Sequence, residues 1–429
     1  MKTLSRARQI LIAGFCINLC IGILFTWSVF KKALVMDLGW SNAEASMPYT
    51  IAIVTFSISL LLAGIIQDRF GPRRVLIAGT LLSGIGLIAS GFGTTPDMLI
   101  VSFGLIAGGG IGFAYACLAP AAMKWFAPSR RGVVNGLIAA GFGLAGVYLA
   151  PLITTLIGGW GIEKAFIFLG AALLLIAVPL ACTITNPPEG YVAADNGDAV
   201  QKQQPIREEI NWRGMMRTPQ FYGLWFMYLC ASSTGLMIIG NITSIAAVQT
   251  DMAGAAHLVV ILALFNTFGR VGAGWLNDKI GGLSTLGISF VLQIANMLMF
   301  PYYAGEMGMM LGAALAGVSY GTLPAVFPSL TANFYGLKNY GTNYGVVYTS
   351  WGVSGFIGPI IAAFAVDSTG TYELAYFASV GIMSLALMVC LMMAQAAFRK
   401  RALEAKAKLA ESAADVTGAA ETLTSAQAR

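Results

Sequence analysis

The sequence predicts an all-α membrane protein of twelve transmembrane helices, arranged as two six-helix repeats. Three observations carry that expectation. The 429-residue chain is 57% hydrophobic and only 10% charged, with a mean hydropathy of +0.75, whereas a soluble chain carries about 25% charged residues. Its apolar residues fall into twelve runs long enough to cross a hydrocarbon core about 30 Å thick. A charged motif near the end of the second run returns near the end of the eighth.

In order, the runs cover residues 9–30, 44–66, 73–93, 97–123, 132–157 and 162–184, then 219–249, 254–276, 283–302, 307–333, 341–366 and 372–398. The basic stub Met1–Arg8 leads into a run long enough to span, so it reads as the start of the first helix rather than a cleaved leader. The 51 glycines fit helices that approach closely in lipid. All six cysteines (Cys16, Cys20, Cys117, Cys182, Cys230 and Cys390) lie in apolar runs without CxxC spacing and read as small apolar filler. The single histidine, His257, makes no metal site, and no cofactor is implied.

With the N-terminus inside, 21 of the 25 Lys and Arg residues fall on the cytoplasmic side. Lys31, Lys32 and Lys164 fall outside, and Arg270 lies within a span. The positive-inside rule therefore predicts cytoplasmic termini. The net charge of +6 follows from topology, and nucleic acid need not be invoked as a partner. Residues 1–185 form the first expected unit. Residues 186–218 are a polar cytoplasmic linker, 219–398 the second unit, and 399–429 a cytoplasmic tail, read as a surface helix or a disordered segment. Pro219 sits where proline is favoured, in the first helical turn.

The two units repeat. Gly64-Ile-Ile-Gln-Asp68-Arg69-Phe-Gly71 returns as Gly274-Trp-Leu-Asn-Asp278-Lys279-Ile-Gly281, 210 residues later. Trp125-Phe126 with Gly132 returns as Phe334-Tyr335 with Gly341, 209 residues later. Tandem six-helix halves with a charged turn after the second helix are the layout of a parallel-repeat transporter.

Arg270 is the one charge deep inside an apolar run. It lies eight residues before Asp278, roughly 12 Å along the helix. An arginine at that depth costs about 2.5–3.5 kcal/mol on insertion scales. Its stem reaches about half the distance that snorkelling to the interface needs. The natural partner for such a cation beside a water-filled path is an anion.

The charged turns resemble the major facilitator signature, G-x-x-x-D-R/K-x-G. That resemblance implies that the acids pair with charges on opposing helices and hold the cytoplasmic gate, a role expected of Asp68, Arg69, Asp278, Lys279 and Arg131. A narrower resemblance covers nearly the whole chain. Asn186-Pro187-Pro188-Glu189-Gly190-Tyr191 and Arg217-Thr218-Pro219-Gln220-Phe221-Tyr222 are similar to the linker of the oxalate/formate antiporter family, among the monocarboxylate porters. Trp27, Lys124-Trp125-Phe126, Phe327-Pro328-Ser329, Asn339-Tyr340-Gly341 and Asn343-Tyr344-Gly345 agree with it.

The resemblance implies that Arg270 binds a carboxylate and that Tyr115 and Tyr320 join it. Helical rise puts Tyr115 roughly 14 Å and Tyr320 roughly 21 Å above the inner surface, so both can border one cavity with Arg270. Tyrosine hydroxyls can donate to a carboxylate already held by a guanidinium. Four positions depart from the family. Trp351 stands where oxalate carriers have a second cation, a lysine. Leu24 and Phe25 replace glutamine and tyrosine. Asn266 stands where mammalian monocarboxylate carriers have an acid.

One cation neutralises one carboxylate, and a second would be left unpaired. Leu24, Phe25, Tyr348 and Trp351 would instead offer an apolar wall. The expected function is proton-coupled secondary transport of a small monocarboxylate such as lactate, pyruvate or acetate, by alternating access. Carboxylate/formate anion exchange is the alternative. No Asp or Glu lies deep in any span to carry the proton, which would then travel on water or on the substrate. A membrane sensor is disfavoured by the short linker, and an enzyme by the lack of a catalytic cluster. The expected setting is a cell inner membrane, with the chain acting as a monomer.

Overall fold

The structure, a computed structural model, describes residues 2–40, 42–93, 95–188, 190–191, 209–250 and 256–399. Among the described residues, twelve helices are long and apolar enough to cross a membrane, and none forms a strand. They are α1 (Arg6–Val35), α2 (Met47–Phe70), α3 (Pro72–Ser90), α4 (Pro96–Met123), α5 (Pro128–Trp160), α6 (Ile162–Thr183), α7 (Pro219–Ile242), α8 (His257–Ile280), α9 (Gly282–Tyr302), α10 (Gly305–Tyr335), α11 (Tyr340–Val366) and α12 (Glu373–Arg399). An α-helix closes its own backbone hydrogen bonds, which a lipid core requires.

Helix ends differ from the apolar runs in an instructive way. The second and eighth runs stop at residues 66 and 276, but α2 continues to Phe70 and α8 to Ile280. Asp68 and Asp278 are therefore helical, one turn before the stop. Each stop is a single glycine in the left-handed region, Gly71 at φ +81° and Gly281 at φ +87°. Only glycine adopts that backbone without steric cost. Pro72 then opens α3, where its fixed φ suits the first turn.

Two helix pairs make the most extensive joints between the first six helices and the last six among the described residues: α2 packs along α11, and α5 along α8. Glycine makes both approaches possible. A Cβ on Gly64 would meet the carbonyl oxygen of Gly341, and one on Gly341 would meet that of Gly64. Gly132 and Gly274 stand in the same mutual relation. The glycines of the repeated motif are thus the points where backbones touch, as small residues allow in lipid.

A third cross-link has a different cause. Pro328 in α10 has no N–H to offer the carbonyl four residues earlier, that of Pro324. Asn135 of α5 supplies the missing donor, its Nδ2 reaching the Pro324 oxygen at 2.7 Å and the Ala325 oxygen at 2.8 Å.

α1 is not uniform. It tightens into a 3₁₀ turn at Gly22–Thr26, where Gly22 lies against Ala145 and the Phe142 carbonyl of α5. Irregular backbone at membrane depth is tolerated where it is buried in protein or lines a cavity, and this turn carries Leu24 and Phe25. The end of the linker is ordered too. Asn211 caps a short helix, Trp212–Met215, by accepting the Gly214 N–H at 2.9 Å. Residues 192–208, with most of the linker's charges, lie outside the described residues, as do 400–429 and the expectation of a helical or disordered tail.

Gly64→Ala forces a methyl into the Gly341 carbonyl, and overpacking of this kind costs about 1–3 kcal/mol. The purified variant is expected to melt several degrees below wild type in detergent. Gly272→Ala, whose methyl meets nothing within 4 Å, is expected to melt with wild type.

Candidate functional site

Arg270 sits on α8 with 3% of its surface exposed. Its Nε donates to Asn266 Oδ1, one turn earlier on the same helix, at 2.8 Å. Its Nη1 donates to the carbonyl oxygen of Ala139 on α5 at 2.6 Å. Gly143 of α5 leaves the room: a Cβ there would lie 3.2 Å from Nε and 3.3 Å from Cζ. The guanidinium thus rests on bare helix surface, held by two neutral oxygens. Among the described residues no carboxylate forms an ion pair with it. A buried cation is ordinarily paired, so the charge is available to whatever enters beside it.

What adjoins it is a cavity of about 800 Å³. Leu24, Phe25, Tyr115, Tyr320, Tyr348 and Trp351 line it together with Arg270. The sequence reading also placed Asn266 in the site. The structure puts Asn266 behind the guanidinium, as the oxygen that aims it, and outside the lining.

Five lining aromatics escaped the sequence reading: Tyr49, Phe56, Phe142, Tyr228 and Phe356. Phe56 and Phe142 join the two sides of the cage. Phe142 meets Phe25 edge-on at 5.2 Å between centroids and Tyr115 at 5.1 Å. Phe56 lies 5.6 Å from Tyr115 and 6.0 Å from Trp351. Nothing in the spacing of Phe56 marks it as more than a packing residue. Phe142 did carry a signal, since it stands between Gly141 and Gly143 where helices approach closely.

Trp351 is more than apolar wall. Its Nε1 donates to the Tyr320 hydroxyl at 2.8 Å. That contact occupies a lone pair of the Tyr320 oxygen and leaves its own proton to be donated elsewhere.

The lining shows where the cavity opens. At its floor, Tyr115, Tyr348 and Leu62 each stand eight residues from the basic ends of α4, α11 and α2, roughly 12 Å in. In the other direction the lining reaches Tyr49 near the start of α2, Gly240 near the end of α7, and Ile360 on α11. The cavity is therefore closed toward the end that carries the basic residues and extends toward the opposite end.

Two carboxylates tie the closed end. Asp68 of α2 accepts from the Gly341 and Thr342 amides at the start of α11, at 3.1 and 2.8 Å, and from the Thr342 hydroxyl at 2.8 Å. Asp278 of α8 accepts from the Gly132 and Val133 amides in α5, at 2.7 and 2.8 Å. Apart from the one to the Thr342 hydroxyl, these hydrogen bonds go to backbone amides, with one side-chain charge, Lys124, also in electrostatic range of Asp68. The first amides of a helix lack internal acceptors and carry the positive end of its dipole, so they suit an anion. Arg131 directly precedes Gly132 in α5.

Arg69 is exposed, and Lys279 lies over the Trp275 ring at 3.9 Å from its centroid. Just beyond α4, burial lowers the Lys124 pKa, while nearby Asp68 and Glu209 draw it back up.

The Major Facilitator Superfamily pattern matches residues 10–306 and 246–425. The chain belongs to that superfamily. An uncharacterized MFS-type transporter, YhjX, of Escherichia coli (strain K12) is 31% identical over 355 residues, 81% of this chain and 86% of that one. The oxalate:formate antiporter of Oxalobacter formigenes is 27% identical over 79% of each chain. Among solved structures, the major facilitator transporter FucP in the outward conformation superposes with a TM-score of 0.67 at 14% identity, covering 89% of this chain and 99% of that one. The twelve-helix fold and membership of a transporter superfamily are therefore secure.

Removing either carboxylate charge at the closed end of this major facilitator protein is expected to free its helix pair. A charge at a helix terminus is worth up to about 2 kcal/mol in partly buried geometry, and 1–2 kcal/mol is a population factor of about 5–30. Spin-label distances across the basic end should lengthen in Asp68→Asn and in Asp278→Asn. Distributions identical to wild type in both would contradict the tie.

Proposed function

We propose that this protein is a secondary carrier of small monocarboxylates, of the size of lactate, pyruvate or acetate, moving them with protons by alternating access. Arg270 carries the proposal, a buried cation that has no counter-ion among the described residues, facing a cavity lined mostly by aromatic and aliphatic side chains. One carboxylate neutralises it. The Tyr320 proton, left free by the Trp351 contact, and the Tyr115 hydroxyl are the second and third donors. The aromatic cage takes the substrate's apolar end. A relative named for oxalate and formate supports the carboxylate class.

Residues 1–185 and 219–398 act as two halves that rock about this site. The basic end, with both termini, faces the cytoplasm of a cell inner membrane, and one chain is the working unit. The two Asp ties hold the cytoplasmic end shut while the cavity opens outward. Among the described residues the lining holds no carboxylic acid or histidine, so the coupled proton travels with the substrate or on water.

Substrate charge tests the reading. Oxalate brings two adjacent charges to a site with one cation. Its second charge faces Trp351 and Leu24 in poorly hydrated surroundings, where an unpaired charge costs several kcal/mol. Even 2.8 kcal/mol is about a hundredfold in affinity. Competition by lactate, pyruvate, acetate, formate and oxalate is expected to rank the monocarboxylates ahead of oxalate. Trp351→Lys is expected to narrow or reverse that order. Wild-type protein that takes oxalate at least as well as every monocarboxylate would overturn the single-cation account.

A further inference from the structure

The central cavity ends at Tyr348, but the row of phenols that begins there continues. Tyr348, Tyr344 and Tyr340 follow one another at four-residue intervals along α11, which puts them on one helix face. Their rings touch in sequence, Tyr348 to Tyr344 at 5.6 Å between centroids and Tyr344 to Tyr340 stacked at 5.7 Å. The ladder runs from the cavity floor to the first residue of α11, immediately before Gly341, whose amide binds Asp68. It borders both halves: Tyr340 is in electrostatic range of Asp68 on α2 and Tyr115 on α4, and Tyr344 of Tyr115, while Tyr348 meets Tyr228 of α7 edge-on at 5.8 Å.

The hydroxyls at the lower two rungs are poorly bonded in this state. Tyr340 is 1% exposed and Tyr344 7%. Tyr344 lies close enough to Tyr228 for the two hydroxyls to interact, although the contact falls short of a well-aligned hydrogen bond. Of the two, the Tyr340 hydroxyl is the one wholly without a partner among the described residues. A buried hydroxyl without a partner is a cost to the fold. Packing alone would be served as well by phenylalanine. Tyr340 lies within electrostatic range of Asp68, and both residues within range of Tyr115 in the opposite half, so the cost falls on the closed state and is relieved when the halves part.

We propose that Tyr340, Tyr344 and Tyr348 form a second, transient carboxylate-binding site on the release path between the central cavity and the basic end. The proposal rests on the carrier reading above. When α2 and α11 separate at that end, the three hydroxyls line the widening gap. A carboxylate leaving Arg270 then passes from a guanidinium to a row of neutral donors. Neutral O–H groups hold an anion more weakly than a cation does, which suits a station on the way out. The Asp68 carboxylate, freed of its amides at the foot of the ladder, repels the anion onward.

The test compares the two faces of the carrier. Wild type, the Tyr340→Phe/Tyr344→Phe double variant and Arg270→Ala are reconstituted in one orientation, and half-saturation for labelled lactate is measured from each side. The double variant is expected to raise the half-saturation concentration at the basic side at least fivefold and to leave the opposite side within twofold of wild type. Equal change on both sides, or no change on either, overturns the ladder. Arg270→Ala is expected to lose affinity on both sides, and retained affinity there overturns the central site instead.

Spin-label distances across the basic end, measured without substrate, give a second reading. Removing the two hydroxyls is expected to raise the closed fraction, and an unchanged fraction counts against the ladder. If wild type carries no lactate, the transport reading fails and these distances decide the ladder on their own. If the double variant does not fold, Tyr340→Phe alone takes its place in both measurements.

Discussion

An arginine withdrawn from water must be met by oxygen, and Arg270 is met by little. Among the described residues two neutral acceptors hold it, one from its own helix and one from the adjoining α5. They fix its direction without cancelling its charge. The surrounding packing serves that placement. Gly143 clears the space beside the guanidinium, Gly136 lets α5 touch the Arg270 carbonyl, and Gly321 lets α10 approach the backbone from Asn266 to Arg270. A bulkier side chain at any of these would move the helix that carries the cation.

The same economy governs the closed end. Two aspartates at equivalent places of a repeat each reach across to a helix start in the opposite half of the chain. A carboxylate against orphan amides makes a directional bond that breaks as a unit when helices part. A glycine pair beside each bond sets backbone contact and hydrogen bond at one level of the membrane. Closure at one end and a cavity at the other thus follow from the same two helix pairs.

Much of this was legible in the chain. Twelve runs, the 210-residue repeat and the basic-residue asymmetry follow from composition and spacing. Arg270 stood out because an isolated charge in an apolar run has few innocent explanations. Resemblance to known carriers supplied Tyr115 and Tyr320, and both line the cavity with Arg270.

What stayed hidden depended on pairing in three dimensions. Asn266 read as a lining residue because depth along a helix is visible in sequence, whereas the direction of a side chain relative to a neighbouring arginine is not. Asp68 and Asp278 read as partners of side-chain charges because backbone amides leave no mark in composition. Phe56 is one aromatic among 24 phenylalanines, and only the fold sets it opposite Trp351 and Tyr115. The Trp351 bond to Tyr320 joins residues 31 apart. It turned an apparently apolar replacement into the residue that orients a donor.

The central claim is that one guanidinium receives one carboxylate. Its most direct test is equilibrium binding of a labelled monocarboxylate to purified, correctly folded wild-type, Arg270→Lys and Arg270→Ala proteins. Lysine keeps the charge but loses the planar fork that grips a carboxylate. The account predicts sharply weakened binding in Arg270→Lys and none in Arg270→Ala, with melting temperatures that show both proteins intact. Wild-type affinity in a folded Arg270→Ala protein would contradict it.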